Sequence, residues 1–465
     1  MVPRVFCLLL LLYHFTITFA SIEEAAALLK WKATFQNQNN SLLASWTLSH
    51  PAAAKNSSSH DPCRDWYRVN CFNGRINRLN ISNSGVIGTL HDFPFSSLLF
   101  LEYVDLSMNN LSGHIPAEIG KLVNLVEVAL DTNQLIGYIP PEIGNLINAK
   151  LFSAFSNELS GSIPNEIGKM KSLAELMLYR NNLSGSIPKS LGELTKLKIL
   201  YLYVNQISGP IPAEIGKLVN LVEVDLDTNQ LTGHIPSEIG NLINVNLFYA
   251  YSNKLSGPIP AEIGKMKSLV ELMLNTNNLS GPIPKALGDL TELTILYLYE
   301  NQFSGPIPTE IGKMKSLVKL SLQRSNLSGP IPKTLGDLTE LTILHLYENQ
   351  LSGTIPAEIG KLVNLIEVDI DTNQLTGHIP PEIGNLINAE GFYAYSNELS
   401  GPIPAEIGKM KSLVDLSLHN NNLSGPVPKS LANRSYSSEN RELEVTCGLK
   451  IKHKLSFWPY SKSFG

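Results

Sequence analysis

Two pairs of aspartates have the spacing in this chain that most resembles a catalytic arrangement. Asp225 and Asp227 are separated by one residue, as are Asp369 and Asp371, and this spacing places both carboxylates of a pair on one face of a β-strand. Paired carboxylates can divide acid and base roles where a closed pocket shifts their pKa values. Carboxylates on the outward face of an open strand are solvated, so we predict that the chain is not an enzyme.

Histidines and cysteines show no metal-binding spacing. Histidine follows glycine in one recurring phrase, Gly-His-Ile-Pro, at His114, His234 and His378. These histidines recur with the segment that contains them, and no cysteine lies at the spacing that a zinc site requires. We therefore predict no metal and no cofactor. The net charge of −5, with both signs interspersed, also argues against a nucleic-acid partner.

A third set of residues, which we call the tyrosine strip, is aromatic and recurs in pairs every 48 residues. Its members are Tyr201, Tyr203, Tyr249, Tyr251, Tyr297, Tyr299, His345, Tyr347, Tyr393 and Tyr395. Tyrosine offers rigid, amphipathic contact area, which is typical of surfaces that bind peptides. We predict that an extended peptide crosses the strip, with the acidic pairs favouring basic ligand side chains and Arg324 favouring an acidic one.

Duplication is a second explanation for the tyrosine strip. Residues 121–216 and 217–312 are nearly the same 96-residue unit, so any feature of that unit recurs automatically. Tyrosine also suits a half-exposed strand intrinsically. From the sequence, both explanations stay open.

All these residues lie in a repeat with a period of 24 residues, without insertion or deletion. One position of each repeat, which we call the ladder position, holds asparagine or once serine. The ladder positions are Asn109, Asn133, Asn157, Asn181, Asn205, Asn229, Asn253, Asn277, Asn301, Ser325, Asn349, Asn373, Asn397 and Asn421. The surrounding pattern, LxLxxNxLxGxIPxxIGxLxx, is typical of a repeat solenoid in which each coil packs on its neighbours.

One repeat shows how the sequence predicts a coil. Alternation directs Leu296 and Leu298 inward and Tyr297 outward, as in a short strand. The ladder residue Asn301 can satisfy backbone groups where the chain turns inward. The glycine and prolines that follow favour a bend and an extended path, and a short helical turn closes the coil. Ser325 has one donor where asparagine has two, which predicts a weaker coil.

The repeats divide the chain into four predicted segments. Residues 1–20 form a secretion signal, 21–78 an N-terminal cap with a disulfide, 79–431 one degenerate and fourteen regular coils, and 432–465 an atypical polar and basic tail. A cap is needed because a terminal coil otherwise exposes its core. Within the cap, Glu23–Trp31 has helical apolar spacing.

The start of the chain has the features of a secretion signal. Arg4 precedes an apolar stretch at Val5–Leu12, and small residues precede a cleavage point at Ser21. The apolar stretch is shorter than the roughly 20 residues of a membrane-spanning helix. We predict an extracellular protein.

Export permits disulfides and N-glycosylation. Cys63 and Cys71 are close enough in sequence for a local bridge, which leaves Cys447 as a free thiol or an intermolecular link. Sequons occur at Asn39, Asn56, Asn80, Asn110, Asn182, Asn278, Asn326, Asn422 and Asn433. Five of them share the form Asn-Leu-Ser directly after a ladder position, so their glycans would leave the coils from one edge.

The phrase GxIPxxIGxL is the plant-specific form of the leucine-rich repeat. It occurs first at Gly113–Leu122, and the cap adds the elements EAxALLKWK, LLxSW and CxxWxxVxC. Together these features, which cover residues 1 to about 431, resemble the ectodomains of plant leucine-rich-repeat receptor kinases, in particular the male-discoverer-interacting receptor-like kinases. The resemblance implies an α/β repeat solenoid, a superhelix with a parallel β-sheet on its concave face and short helical turns on its convex face. It also implies perception of an extracellular ligand, often a small secreted peptide, with a leucine-rich-repeat co-receptor. The predicted location is the apoplast, or the plasma membrane if the chain is part of a full receptor.

Two departures from the family bear on function. The family cap usually has glycine where this chain has Arg68, and the family continues into a transmembrane helix and a kinase domain whose motifs are absent here. A truncated receptor, a secreted decoy, a gene fragment and an alternative transcript stay open. The alternative function is a secreted inhibitor of microbial wall-degrading enzymes, since polygalacturonase inhibitors use the same repeat but pair cysteines in both caps. A surface that binds ice or polysaccharide is a third class.

Overall fold

The computed structural model describes residues 22–37, 41–48, 61–432 and 444–446. These residues form two compact units. The N-terminal unit comprises the described residues up to Ser304 together with Lys313–Leu317, and the C-terminal unit comprises Gly305–Gly312 and the described residues from Val318 onward.

Several sequence predictions lie outside the described residues. They are the secretion signal at 1–20, the free cysteine Cys447, most of the tail and the sequons at Asn39, Asn56 and Asn433.

The N-terminal cap begins with a helix over residues 22–32, which confirms the predicted helical segment. Its Trp31 side chain is buried and donates through Nε1 to the carbonyl of Thr89, 2.8 Å away. A 3-10 turn at Ser41–Leu43 and a short helix at Pro62–Asp65 follow. The predicted Cys63–Cys71 disulfide is confirmed.

Arg68, the residue that replaces a family glycine, has the left-handed backbone conformation that favours glycine, with φ of +66°. Its guanidinium donates from Nη1 to Asn80 Oδ1 at 3.1 Å and to the carbonyl of Ser82 at 2.6 Å. These charge-assisted hydrogen bonds offset the backbone cost of an arginine at this position.

One strand per coil builds the first sheet of the N-terminal unit. Its strands are Val69–Phe72, Arg75–Asn80, Tyr103–Asp105, Glu127–Ala129, Leu151–Ser153, Glu175–Met177, Ile199–Tyr201, Glu223–Asp225, Leu247–Tyr249, Glu271–Met273 and Ile295–Tyr297. The first two strands pair antiparallel and the others pair parallel. From Tyr103–Asp105 onward, each residue pairs with its equivalent 24 residues later, as Leu176 does with Leu200, so equivalent outward side chains form columns.

A second set of short parallel strands follows the ladder positions. In the N-terminal unit they are Ile87–Thr89, Asn110–Gly113, Gln134–Gly137, Glu158–Ser162, Asn182–Ser184, Ser208–Gly209, Gln230–Gly233, Lys254–Gly257 and Asn278–Gly281, with Gln302–Gly305 ending at the boundary. The sequence analysis predicted only an extended path here. The pairing arises because residues 22 apart in sequence, such as Ser256 and Asn278, lie in register and satisfy each other's backbone groups.

Short 3-10 turns close the coils, which confirms the predicted helical turns. In the N-terminal unit they are Ala117–Lys121, Pro141–Asn145, Asn165–Lys169, Lys189–Glu193, Ala213–Lys217, Ser237–Asn241, Ala261–Lys265 and Lys285–Asp289, and Thr309–Lys313 spans the boundary. Beside four of them, an asparagine donates through Nδ2 to a carbonyl of the preceding coil: Asn124, Asn148, Asn220 and Asn244. This second set of asparagines was missed in the sequence.

The C-terminal unit repeats the same architecture. Its first-sheet strands are Lys319–Ser321, Ile343–His345, Glu367–Asp369, Gly391–Tyr393, Asp415–Ser417 and Glu444–Thr446, and its second strands are Asn326–Pro330, Gln350–Thr354, Gln374–Gly377, Glu398–Pro402 and Asn422–Ser424. Its turns are Lys333–Asp337, Ala357–Lys361, Pro381–Asn385 and Ala405–Lys409, followed by a helix at Lys429–Ala432. The strand Glu444–Thr446 lies in the predicted tail and pairs parallel with Asp415–Ser417.

The ladder positions stabilise the coils as predicted. Asn205 donates through Nδ2 to the carbonyls of Leu178 and Leu202, both at 3.0 Å, and accepts the backbone N–H of Leu183 through Oδ1. The residue before each ladder position has a positive φ, which is +52° at Val204. The asparagine therefore holds the chain where its backbone turns inward.

Candidate ligand-binding surface

Each first-sheet segment presents three outward positions separated by buried ones. In one coil these are Glu223, Asp225 and Asp227, with Val224 and Leu226 fully buried between them. We call the three sets of equivalent positions the first, second and third columns. The predicted aromatic and acidic site residues lie only in the second and third columns, although the same alternation predicts the first.

Glutamate side chains of the first column accept hydrogen bonds from tyrosines of the second column. The hydroxyl of Tyr201 donates to Glu223, and that of Tyr249 donates to Glu271. Burial, followed by the adjacent glutamate, raises the pKa of both tyrosines. These side chains are half-buried, and the hydrogen bonds fix the direction of each ring.

In the C-terminal unit, the corresponding aromatic residue is His345. Its Nε2 lies 3.2 Å from Glu367 Oε1. The hydrogen bond with His345 lowers the pKa of Glu367, against an opposing effect of burial. The coil therefore keeps the glutamate–aromatic contact although histidine replaces tyrosine.

Consecutive coils of the N-terminal unit stack three aromatic rings in the third column. Phe155 stacks on Tyr179 with ring centroids 4.2 Å apart, and Tyr179 stacks on Tyr203 at 4.3 Å. Burial and the neighbouring Tyr179 raise the pKa of Tyr203 to about 12. Phe155 and Tyr179 were missed because the sequence analysis followed only alternate coils, whereas the 24-residue interval to Tyr203 identifies them.

Polar residues of the third column hydrogen-bond the tyrosine of the next coil. Burial raises the pKa of each of these four tyrosines, and the polar neighbour modifies it. The four pairs are Asp227 with Tyr251, Asn275 with Tyr299, Gln323 with Tyr347 and Asp371 with Tyr395. The first two pairs belong to the N-terminal unit and the last two to the C-terminal unit.

The prediction that the paired aspartates are solvated is wrong. Asp225 pairs in the sheet with Tyr201 on one side and Tyr249 on the other, so aromatic rings flank it. Burial, and then the adjacent charge of Asp227, raise the pKa of Asp225 to about 8. In the C-terminal unit, burial and Asp371 likewise raise the pKa of Asp369 to about 8.

Arg324 is adjacent to the tyrosine strip in the C-terminal unit. Its guanidinium lies 5.7 Å from the ring centroid of Tyr347, and Nε lies 3.3 Å from Glu348 Oε1. The next tyrosine of the third column, Tyr395, stacks on His419 with ring centroids 4.5 Å apart. His419 extends the aromatic surface by one coil, and the sequence analysis missed it.

The predicted site residues divide between the two units. The N-terminal unit brings together the six tyrosines from Tyr201 to Tyr299 with Asp225 and Asp227. The C-terminal unit brings together the four aromatic residues from His345 to Tyr395 with Asp369, Asp371 and Arg324. Within the described ranges, no group of three or more histidine, cysteine or acidic side chains is arranged to hold a metal ion.

The recurring histidines have packing contacts in the second strands. A Cβ at Gly137, where φ is +76°, would overlap the imidazole of His114, and the same holds for Gly401 and His378. The positive φ that this glycine has in every regular coil explains its place in the repeat, since a Cβ at Gly305, where φ is +77°, would meet nothing within 4 Å. At Gly137 and Gly401 the histidine ring is an additional reason for glycine.

Two known protein-family models match segments of this chain. The leucine rich repeat N-terminal domain matches residues 21–72. The Leucine Rich Repeat model matches 100–122, 172–194, 196–218, 220–242, 268–290, 292–314, 340–362, 364–386 and 412–433. Together these segments cover more than half of the chain. The chain belongs to the leucine-rich-repeat proteins. Individual proteins that are similar to this chain include plant receptors, in agreement with the resemblance seen in its sequence.

This leucine-rich-repeat protein is similar to MDIS1-interacting receptor like kinase 2 of Arabidopsis thaliana. The two are 49% identical over 107 residues, a match that covers 23% of this chain and 10% of the kinase. Among solved structures, it is similar to a TDR receptor, with a TM-score of 0.70 and 33% identity over 75% of this chain and 60% of the receptor. It is also similar to the plant peptide hormone receptor RGFR1 in complex with RGF2, with a TM-score of 0.69 and 34% identity over 79% and 66% of the two chains.

The chain thus spans less than two thirds of these receptors and about a tenth of the kinase. The predicted fold class, a plant-type leucine-rich-repeat solenoid of parallel strands and short helical turns, is confirmed. Within the described part of the chain, no helix combines the length and apolarity needed to cross a bilayer.

Proposed function

We propose that the tyrosine strip binds an extended peptide outside the cell, as the recognition step of a receptor-like protein. The observation that carries this proposal is that neighbouring coils hold the tyrosine side chains in place, as Glu271 holds Tyr249 and Asn275 holds Tyr299. Ordering flexible side chains opposes binding, so rings that are already held lose less entropy when a ligand arrives. Duplication explains why the tyrosines recur, and the hydrogen bonds to Tyr249 and Tyr299 are the additional feature that favours binding.

The charge around the strip favours a basic ligand. Asp225 lies between Tyr201 and Tyr249 in the sheet of the N-terminal unit, and Asp369 lies next to Tyr393 in that of the C-terminal unit. Because the pKa of Asp225 and that of Asp369 are about 8, each aspartate pair shares a proton at neutral pH and keeps one negative charge. A lysine or arginine placed there would interact favourably with that charge and with the flanking rings. Arg324 would favour an acidic side chain at its end of the C-terminal segment.

In this proposal, the surface that binds the peptide has no catalytic role, and the bound complex contacts a co-receptor. One structural relative, RGFR1, is a peptide hormone receptor whose structure contains RGF2. By analogy, we propose that this chain is exported, is not an enzyme and presents its bound peptide to a co-receptor with a leucine-rich-repeat ectodomain. We also propose the four segments with boundaries at 20, 78 and 431.

Alanine substitution of four tyrosines of the N-terminal unit tests the proposal. In one variant, Tyr249, Tyr251, Tyr297 and Tyr299 become alanine, and binding to a pool of peptides secreted by plant seedlings is measured by capture and mass spectrometry. We expect the variant to fold and to lose the peptides that the parent protein retains, because these side chains lie outside the leucine core.

The matched control replaces four exposed apolar residues beside the helical turns of the same unit with alanine. They are Val123, Ile147, Val219 and Ile243, which are between 44% and 53% exposed. We expect this variant to bind as the parent does. Equal peptide capture by the tyrosine variant and the parent would show that the tyrosines only stabilise the sheet.

A further inference from the structure

Three coils of the described chain share an arrangement that we call a frame. In each, a first-column glutamate is hydrogen-bonded to a second-column aromatic side chain of the preceding coil, and a third-column polar side chain is hydrogen-bonded to a tyrosine of the following coil. The outward residue between these two contacts, in the second column, is the centre of the frame. The centres are Asp225 and Met273 in the N-terminal unit and Asp369 in the C-terminal unit.

The two centres of the N-terminal unit have the same aromatic neighbours in kind. Asp225 lies between Tyr201 and Tyr249 in the sheet. Met273 lies between Tyr249 and Tyr297. Both centres are half-buried rather than fully buried, so a side chain of a ligand can reach them.

The two frames differ in charge. The strand at Asp225 presents three outward carboxylates, those of Glu223, Asp225 and Asp227. The strand at Met273 presents one, that of Glu271, which already accepts a hydrogen bond from the Tyr249 hydroxyl. A thioether beside aromatic rings forms an apolar, polarizable surface. A cationic side chain placed on it would lose water without a charged partner at the centre, whereas an apolar side chain would gain by burial.

Duplication does not account for the frame at Met273. The equivalent residue of the first 96-residue unit is Met177, which lies between Ser153 and Tyr201 in the sheet. The third-column residue of that strand is the aromatic Tyr179, where the frame has a polar side chain. Met177 therefore has one tyrosine beside it in the sheet instead of two, and only the second unit builds the frame.

We propose that the frame at Met273 binds an apolar side chain of the ligand peptide, and that the centre of each frame determines which kind of side chain it accepts. This inference rests on the proposed peptide-binding function and adds the specificity of two adjacent positions. The centres Asp225 and Met273 are two coils apart, which is roughly 10 Å. An extended peptide advances about 3.1–3.4 Å per residue. The basic residue at Asp225 and the apolar residue at Met273 are therefore about three residues apart in a ligand that follows the column.

Selection from a phage-displayed library of random peptides measures what each frame accepts. The peptides are about 12 residues long and span roughly 37 Å when extended, which exceeds the interval between the two centres. We expect the full parent chain to select peptides with a basic and an apolar residue about three positions apart. Deep sequencing of the selected phage gives the residue frequencies at each position.

Exchanging the residues of one frame for those of the other tests the assignment. Met273→Asp with Asn275→Asp recreates the strand at Asp225, and the fold already accommodates these residues there. We expect the apolar residue of the selected peptides to be replaced by a second basic residue, with a change of about tenfold in their ratio, the effect of one hydrogen bond to a charged group on affinity. The reciprocal variant, Asp225→Met with Asp227→Asn, should replace the basic residue by an apolar one and provides a second test that does not depend on folding of the first.

Two single variants are the matched controls. Met273→Leu keeps an apolar centre and should keep the preference of the parent. Met177→Asp makes the acidic change at the duplicated methionine outside a frame, and the selected peptides should retain their apolar residue. Thermal melting confirms that each variant is folded. Unchanged selection by the exchanged frames, or loss of the apolar residue with Met177→Asp, would overturn the inference.

The outcome separates this inference from the function on which it rests. If the parent selects peptides that the tyrosine variant does not, and exchange of the frame centres changes nothing, peptide binding stands and the assignment of specificity fails. If the parent and the tyrosine variant select the same peptides, or the parent enriches none, the proposed function fails and this inference fails with it.

Discussion

At the residue scale, Ser325 is the ladder position that departs from asparagine. Its hydroxyl oxygen is buried and has no hydrogen-bond partner among the described residues. One coil later, Asn349 donates to the carbonyls of Leu322 and Leu346 and accepts the N–H of Leu327. An asparagine at 325 could make equivalent donations, which serine cannot because it has one donor.

We predict that Ser325→Asn raises the free energy of unfolding by about 1 kcal/mol, the usual net value of a recovered hydrogen bond. Thermal or denaturant unfolding of the parent and the variant provides the measurement. The reverse change one coil later, Asn349→Ser, should lower the midpoint and is the matched control. A midpoint that stays the same or falls for Ser325→Asn would mean that this turn is already satisfied.

The pKa of Asp225 predicts how stability depends on pH. Unfolding restores an ordinary aspartate pKa of about 3.9, whereas the folded value is about 8. Between these values the folded state binds the proton and the unfolded state does not, so stability falls as pH rises from about 4 to about 8.

We therefore predict that Asp225→Asn, which removes the titrating group, stabilises the protein more at pH 8 than at pH 4.5, relative to the parent. Unfolding midpoints at the two pH values measure this difference. Asp92→Asn, which changes an exposed carboxylate, is the control and should behave alike at both. An identical effect of Asp225→Asn at both pH values would contradict the raised pKa.

At the scale of the element, the 3-10 turns are constrained by the close approach of consecutive coils. A Cβ at Gly240 would overlap the backbone carbonyl of Glu262 in the next coil, and a backbone carbonyl cannot move aside as a flexible side chain can. The glycine of the recurring Ile-Gly pair is thus required for the distance between coils.

We predict that Gly240→Ala lowers the free energy of unfolding by roughly 1–3 kcal/mol, as overpacking of a close contact does. Ser237→Ala changes an exposed residue of the same turn and should have little effect. Circular dichroism melting of the three proteins provides the comparison, and equal midpoints would show that the coils can separate at no cost.

At the scale of the whole molecule, the sequons lie in different environments. The asparagines of the five Asn-Leu-Ser sequons are exposed at the start of second strands: Asn110, Asn182, Asn278, Asn326 and Asn422. Asn80 instead donates through Nδ2 to Asp105 at 3.0 Å and accepts from Arg68 through Oδ1. A glycan on Asn80 would break these hydrogen bonds.

We predict that the exported protein has glycans on the five exposed sequons and none on Asn80. Peptide mapping after enzymatic deglycosylation in heavy water marks each modified asparagine by mass. The Cys63–Cys71 bridge should appear in the same map. Protein recovered from the secretory pathway with Asn80 modified, or with the exposed sequons bare, would contradict the prediction.

The sequence by itself determined the coil. The 24-residue period, the inward leucines such as Leu296 and Leu298, the ladder asparagines and the glycine–proline bend follow from local backbone preferences and burial, and each recurs many times. The Cys63–Cys71 bridge was equally local, because eight residues separate the two cysteines.

Only the tertiary structure decided what surrounds each outward side chain. The sequence placed Asp225 on an open face, but the rings of the two adjacent coils cover it, and its pKa rises for that reason. Likewise, the 24-residue interval places Gln323 beside Tyr347, but the burial of Gln323, which is only 6% exposed, depends on how side chains of adjacent coils pack. These properties arise between coils, from side-chain directions and desolvation, which a repeat pattern does not contain.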